Sequence, residues 1–154
     1  MSDRFAATLT VRRADYEALE ELKRLIDMEE KDSFDNAIVE IRNDAARYGE
    51  FEEIEEFCTE HGIAFDRWSE AYYEYQSQMR MYRPGAEPID KIVFLSSSGE
   101  PFVGCRDIRQ ILEDMKLAAD ERILRAIEIG RESDYPCPTI ENYRSEREQE
   151  ARVC

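Results

Sequence analysis

Histidine occurs once in these 154 residues, at His61, and lysine four times against seventeen arginines. Any Ser-His-Asp, Cys-His or multi-histidine metal scheme must therefore run through one imidazole. Cysteine is also sparse. Cys58, Cys105, Cys137 and Cys154 stand far apart, with no C-x-x-C pair, so the common zinc and dithiol spacings are missing and reduced thiols are expected. No stretch approaches the roughly eighteen consecutive apolar residues of a membrane span, and Met1-Ser2-Asp3-Arg4-Phe5 lacks the apolar core of a signal peptide. A cytoplasmic protein without a membrane partner is the expectation.

Acid is what the chain has in abundance. Thirty-six Asp and Glu against twenty-one Lys and Arg give a formal charge of −15. That balance excludes generic attraction to nucleic acid phosphates or anionic lipid, which needs clustered cations to displace counterions. A basic protein surface is the natural partner, with no direct contact to nucleic acid. A saline host accounts for the acidity equally well, and a GC-rich coding sequence for the arginine bias. At 42% apolar and 37% charged residues, the chain should fold with a heavily charged exterior. Its length suits one core.

Residues Phe5 to Val11 alternate, which predicts a strand with Phe5, Ala7, Leu9 and Val11 on one face. From Asp15, the spacing of Leu19, Leu22, Leu25 and Ile26 predicts one helix lying on the sheet. Asn36 to Arg42 alternates again, as a second strand. Phe51, Ile54, Phe57 and Cys58 mark a helix that Gly62 should stop near His61. Ile63 and Phe65 open a third strand. The tyrosine-rich run from Tyr72 to Tyr82 either continues straight or turns at Gln76-Ser77-Gln78, and Arg83-Pro84-Gly85 ends it. Lys91 to Leu95 and Pro101 to Val103 read as a hairpin around Ser96-Ser97-Ser98-Gly99-Glu100. Beyond Gly104, apolar residues from Ile108 to Ile127 predict a long C-terminal helix, broken near Asp120 if at all, capped by Gly130, and packed on the sheet or on a second subunit.

The expected fold is α+β: a mostly antiparallel sheet with helices packed on one face and ferredoxin-like strand–helix–strand elements over Thr8 to Arg42 and Ala37 to Tyr75. Residues 1–130 form the domain, and 131–154 a polar, loosely ordered tail.

No catalytic residue, metal ligand or cofactor is nominated. His61 sits at a helix end beside Glu60, where an imidazole favourably meets terminal carbonyls, and Cys58 and His61 form a C-x-x-H pair without a second pair. The Ser96-Ser97-Ser98-Gly99 turn lacks the lysine of a phosphate loop, and Glu100 carries the wrong charge for an anion.

The distinctive run is Glu50 to Glu60, one apolar stripe with almost nothing but glutamate around it. Glu52 with Glu56 and Glu56 with Glu60 are like-charge i,i+4 pairs, each costing about 0.2 to 0.5 kcal/mol, partly offset where Glu52 and Glu53 meet the helix N-terminus. A second acidic group, Asp27, Glu29, Glu30, Asp32 and Asp35, surrounds the link from the first helix to the second strand, interrupted by Lys31. Carboxylates about 6 to 7 Å apart would imitate phosphates, given 3.4 Å per nucleotide along a strand. A third group, Trp68, Tyr72, Tyr73, Tyr75 and Tyr82 beside Arg67, Arg80 and Arg83, has the residue types of interface hot spots. The residues expected to bind a partner are Glu52, Glu53, Glu56, Glu60, Asp27, Glu29, Glu30, Asp32, Trp68 and Tyr72.

Gly62-Ile63-Ala64-Phe65-Asp66-Arg67-Trp68-Ser69-Glu70, with Tyr73-Glu74-Tyr75 and Tyr82-Arg83-Pro84-Gly85, resembles small uncharacterised acidic proteins of phages and plasmids over about the middle quarter of the chain. In size and acidity the chain is similar to anti-defence inhibitors, including anti-CRISPR proteins. The resemblance implies an acidic inhibitor, a nucleic-acid mimic that blocks a basic surface of a host defence or nucleic-acid-handling complex, and implies no site residues. The alternative is a homo-oligomeric structural or adaptor module without catalytic activity, a homodimer for example.

Overall fold

The alternating segment at the start becomes the centre of a sheet. β1 (Arg4–Arg12) pairs antiparallel with β3 (Ile38–Arg47) on one side and β4 (Phe65–Ser69) on the other. The computed structural model describes residues 2–133 together with Ile140, Glu141, Tyr143, Arg144 and Glu148. Among them, β2 (Glu30–Phe34) lies outside β3, and β5 (Gln78–Arg83) and β6 (Ile89–Phe94) follow β4. The order is β2-β3-β1-β4-β5-β6, with every neighbouring pair antiparallel. Because β3 and β4 both oppose β1, they run parallel to each other with β1 between them, a split strand–helix–strand unit. The fold is α+β.

Ala7, Leu9, Val11, Val39, Ile41 and Phe65 line the face covered by α1 (Arg13–Ala18), α2 (Glu20–Asp27) and α3 (Glu52–His61). They meet Tyr16, Leu22, Ile26, Ile54 and Cys58, all buried. Each fully buried aliphatic side chain is worth about 1.5 to 3 kcal/mol, so this one seam supplies most of the apolar drive to fold. On the opposite face Ile38 and Ala64 pack with Ile140 and Tyr143. The Tyr143 hydroxyl donates to the Pro84 carbonyl at 3.2 Å, and Arg12 reaches Glu148 at 2.7 Å. Ile140, Tyr143 and Glu148 are therefore held against the sheet. Most of the rest of the expected loose tail lies outside the described residues.

Four expectations need correction. The first helix is two, because Leu19 takes an extended conformation (φ −122°, ψ 102°) between α1 and α2, and no Gly or Pro announces the break. Packing imposes it, since Leu19 rests against the core that buries Tyr16 and Leu22. The acidic link contains a strand, β2, whose Glu30-Lys31-Asp32 has no apolar alternation; it is held by its ladder to β3 and by Phe34, edge-on to Tyr16 with Arg13 stacked above. Neither reading of the tyrosine run is right. The chain reverses earlier, at Tyr72 to Tyr75, whose backbones exchange hydrogen bonds around Tyr73 at φ +48°. The C-terminal helix is broken just before Asp120, as its pattern allowed, into α4 (Cys105–Leu112) and α5 (Ala119–Glu132), but Gly130 lies inside α5 rather than capping it. The Ser96 loop closes as expected, although only one bridge, Leu95 to Pro101, continues the hairpin beyond β6.

Gly62 ends α3 in the left-handed conformation (φ +65°), with the Ile63 N–H donating to the Cys58 carbonyl at 2.8 Å. Gly49 answers to a tighter demand. At φ +67° its hydrogen faces Phe5, and a Cβ there would sit 2.3 Å from the Phe5 ring and 2.7 Å from Ser69 Cβ. Gly49→Ala should therefore lower the unfolding free energy by about 2 to 4 kcal/mol, combining positive-φ strain with overpacking. Chemical denaturation measures it, with Gly99→Ala, whose Cβ would meet open space at a similar φ, isolating the backbone share.

Candidate functional site

A buried carboxylate fixes how α3 sits. Glu55 faces the sheet with Ile54 and Cys58 and is 4% exposed. β4 turns Phe65, Arg67 and Ser69 to the same side, leaving Arg67 1% exposed. Arg67 Nε lies 2.9 Å from Glu55 Oε1, a contact of charge, since this N–H makes no aligned hydrogen bond. Arg67 Nη1 donates to the Gly49 carbonyl at 3.2 Å. Glu55 Oε1 also accepts the Phe51 N–H at 3.0 Å, satisfying a donor at the start of the helix. Its Oε2 accepts from Arg80 Nη1 at 2.7 Å.

Arg80 in turn grips Asp90 through Nε at 2.9 Å and Nη2 at 2.8 Å. The hydrogen bond to Asp90, then that to Glu55, raises the Arg80 pKa against the cost of burial. The same hydrogen bond holds Asp90 below its ordinary 3.8. Two cations thus balance two anions between α3, β4, β5 and β6. Over them opens a cleft of about 300 Å³ lined by Glu50, Glu52, Glu55, Glu56, Thr59 and Arg80.

With Glu55 turned in, Glu52, Glu53, Glu56 and Glu60 are turned out. All four are exposed, and none forms an ion pair among the described residues. A second cleft, of about 340 Å³, brings Glu29 beside Glu50, Glu52 and Glu53, with Met28, Arg4 and Arg47 also in its lining. Of the second acidic group, Glu29 meets the glutamates of α3 here, while Asp27, Glu30, Asp32 and Asp35 do not line this cleft.

The remaining expected partner residues are placed differently. Asp27 accepts hydrogen bonds from Lys31 and, at 2.7 Å, from the Tyr16 hydroxyl; these keep its carboxyl below 3.8. Glu29 accepts from Asn43 at 3.1 Å. Glu30 and Asp32 are exposed on the sheet edge. Asp35 accepts the Ile38 and Ala37 N–H groups and serves its own turn. Trp68 is half-buried on the face away from α3, across from Thr8 and Met79. Tyr72 is partly exposed and stacks on Phe5 at 5.6 Å. The aromatic group is thus split between the two sides of the sheet. Its arginines are engaged internally: Arg67 and Arg80 bind Glu55, and Arg83, 3% exposed, pairs with Asp66 at 2.8 Å.

The C-x-x-H pair is split as well. Cys58 is in the core, where burial pushes its thiol up to about 12, far from a thiolate at neutral pH. His61 is exposed, stacked on Phe57 at 4.0 Å, with Nδ1 2.9 Å from the Phe57 carbonyl, the helix-end role expected for it.

Glu55 is the residue that sequence reasoning passed over. Two signals point to it: it shares the inward side of α3 with Phe51, Ile54 and Cys58, and Arg67 has inward parity on β4 and requires an anion. Glu55→Ala should destabilise the fold by about 3 to 5 kcal/mol, since it strands a buried guanidinium, whereas a Glu55→Met, Arg67→Met double variant should recover most of the loss. Thermal denaturation of the three proteins decides this. For Asp90, the depressed folded pKa means stability that is complete above the ordinary value and lost as pH falls through the lowered one. Asp90→Asn should accordingly flatten the decline in denaturation midpoint below about pH 4, relative to the parent chain. Comparison with protein-family models, curated proteins and solved structures returns no match.

Proposed function

We propose that this chain is an acidic binding protein that presents the outer face of α3 to a basic protein surface and competes there with nucleic acid. The observation that carries the reading is that Glu52, Glu53, Glu56 and Glu60 are exposed together on one helix and form no ion pair among the described residues, although Arg4 and Arg47 line the cleft beside Glu52 and Glu53. A helix forgoes easy stabilisation by leaving such a row unpaired. Glu52, Glu56 and Glu60 rise about 6 Å apart along the axis, near the two-nucleotide step of about 7 Å on one nucleic acid strand. A nucleic-acid-handling complex of a host would offer a basic surface of opposite sign. Long-range charge would set the encounter rate, and Met28 and the cleft between α2 and α3 would supply apolar contact.

The test begins with capture of partners from host extract, followed by displacement with excess nucleic acid. Replacing the four glutamates by lysine should then slow association with the captured partner by about ten- to a hundredfold at low salt and reduce its salt dependence. Association kinetics unchanged by the reversal, or a partner that binds nucleic acid and this chain at once, would overturn the reading. Because the four are exposed, the substitutions should lower the melting temperature only slightly, through the lysines at 52 and 53, which meet the helix N-terminus at a cost of about 0.3 to 1 kcal/mol each.

A further inference from the structure

The unused feature is the pair α4 and α5. Both carry apolar stripes, yet no residue of α4 is buried, and they pack on each other without substantial contact to the sheet or to α1, α2 and α3. Ile123 is 57% exposed, Leu124 65% and Ile127 48%. Along α5 a groove of about 610 Å³ is lined by Leu117, Leu124 and Ile127, with Glu121, Glu128 and Arg131 at its rim. The charge around this apolar groove points to a second copy of the chain as its occupant.

Residues 104–133 carry six Lys and Arg against seven Asp and Glu, in a chain whose total is −15. The acidity therefore lies almost wholly elsewhere. Two copies approaching through any acidic face repel, whereas through α5 they meet over near-neutral surface. Symmetry sharpens the match. When a helix pairs antiparallel with its own copy about a two-fold axis, residues equidistant from the midpoint face each other. About a midpoint between Arg125 and Ala126, Leu124 of each copy meets Ile127 of the other. At both ends Asp120 faces Arg131 of the other. Asp120 and Arg131 are eleven residues apart, close to three full turns, so they share the side that carries Leu124 and Ile127. Both are exposed, and neither has an ion-pair partner among the described residues.

We infer that α5 is a self-docking surface: it pairs antiparallel with α5 of a second copy, burying Leu124 and Ile127 at the centre and joining Asp120 to Arg131 across each end. The inference does not rest on the role given to α3. A dimer of this form leaves both glutamate faces outside the seam, so one assembly carries two of them.

Analytical ultracentrifugation of the full chain tests it. The parent should show a concentration-dependent monomer–dimer equilibrium, and Leu124→Ser with Ile127→Ser, both at exposed positions, should be monomeric with an unchanged circular dichroism spectrum. R131E sets acid against acid at both ends and should weaken dimerisation about tenfold or more, while D120R with R131E restores opposite charges and should recover it to within about threefold. A parent that stays monomeric up to about 1 mM overturns the inference, because its affinity would then lie below any specific pairing. So does a D120R/R131E variant as weak as R131E, which would mean these residues do not face each other. Should dimerisation fail while the α3 reversal still slows partner association, only this inference falls; the opposite result leaves it standing alone.

Discussion

The contact between Glu55 and Arg67 is the constraint that the rest of the molecule obeys. A guanidinium on the inner face of β4 has to find an anion, and α3 supplies it from a position that would otherwise be one more exposed glutamate. Such a pair contributes little net stability, because desolvating both charges offsets most of their attraction. Its effect is on orientation. Each residue advances a helix by about 100°, so a rotation bringing Glu56 inward would expose Ile54 or Cys58 and leave Arg67 without a counterion. The ion pair thereby locks the helix about its axis and determines which carboxylates face water.

Charge is sorted by position more than by composition. Arg67 and Arg83 are buried, and Arg12 and Arg80 are mostly covered, each held by at least one acid. Arginine suits this work, since its planar fork satisfies several acceptors and stays charged when desolvated. With so many cations engaged inside or in short-range pairs, the surface between α2 and α3 is more acidic than the bulk figure of −15 conveys, and the region of α4 and α5 less so.

Much of this was legible in the chain. Period-two alternation located β1 and β3 because each has one face in the core, and Gly62 located the end of α3 because only a glycine takes its conformation without cost. The outward row of Glu52, Glu53, Glu56 and Glu60 followed from the apolar stripe beside it. β2 was illegible because an edge strand with neither face fully buried carries no alternation; its ladder to β3 and Phe34 hold it. The break at Leu19 was hidden because Ala18, Leu19 and Glu20 all favour helix, and packing overrode them. Glu55 was hidden among identical neighbours. Only the tertiary partner on β4 distinguishes it.

The sheet's margins have a consequence for assembly. An open margin offers unpaired N–H and C=O groups to any passing strand, and proteins commonly answer with charge or proline. β2 presents Glu30, Lys31 and Asp32 there, and the far end of β6 is met by Pro101, which has no N–H to donate onward. Lateral growth into fibrils is thereby discouraged at the β2 margin and at that end of β6.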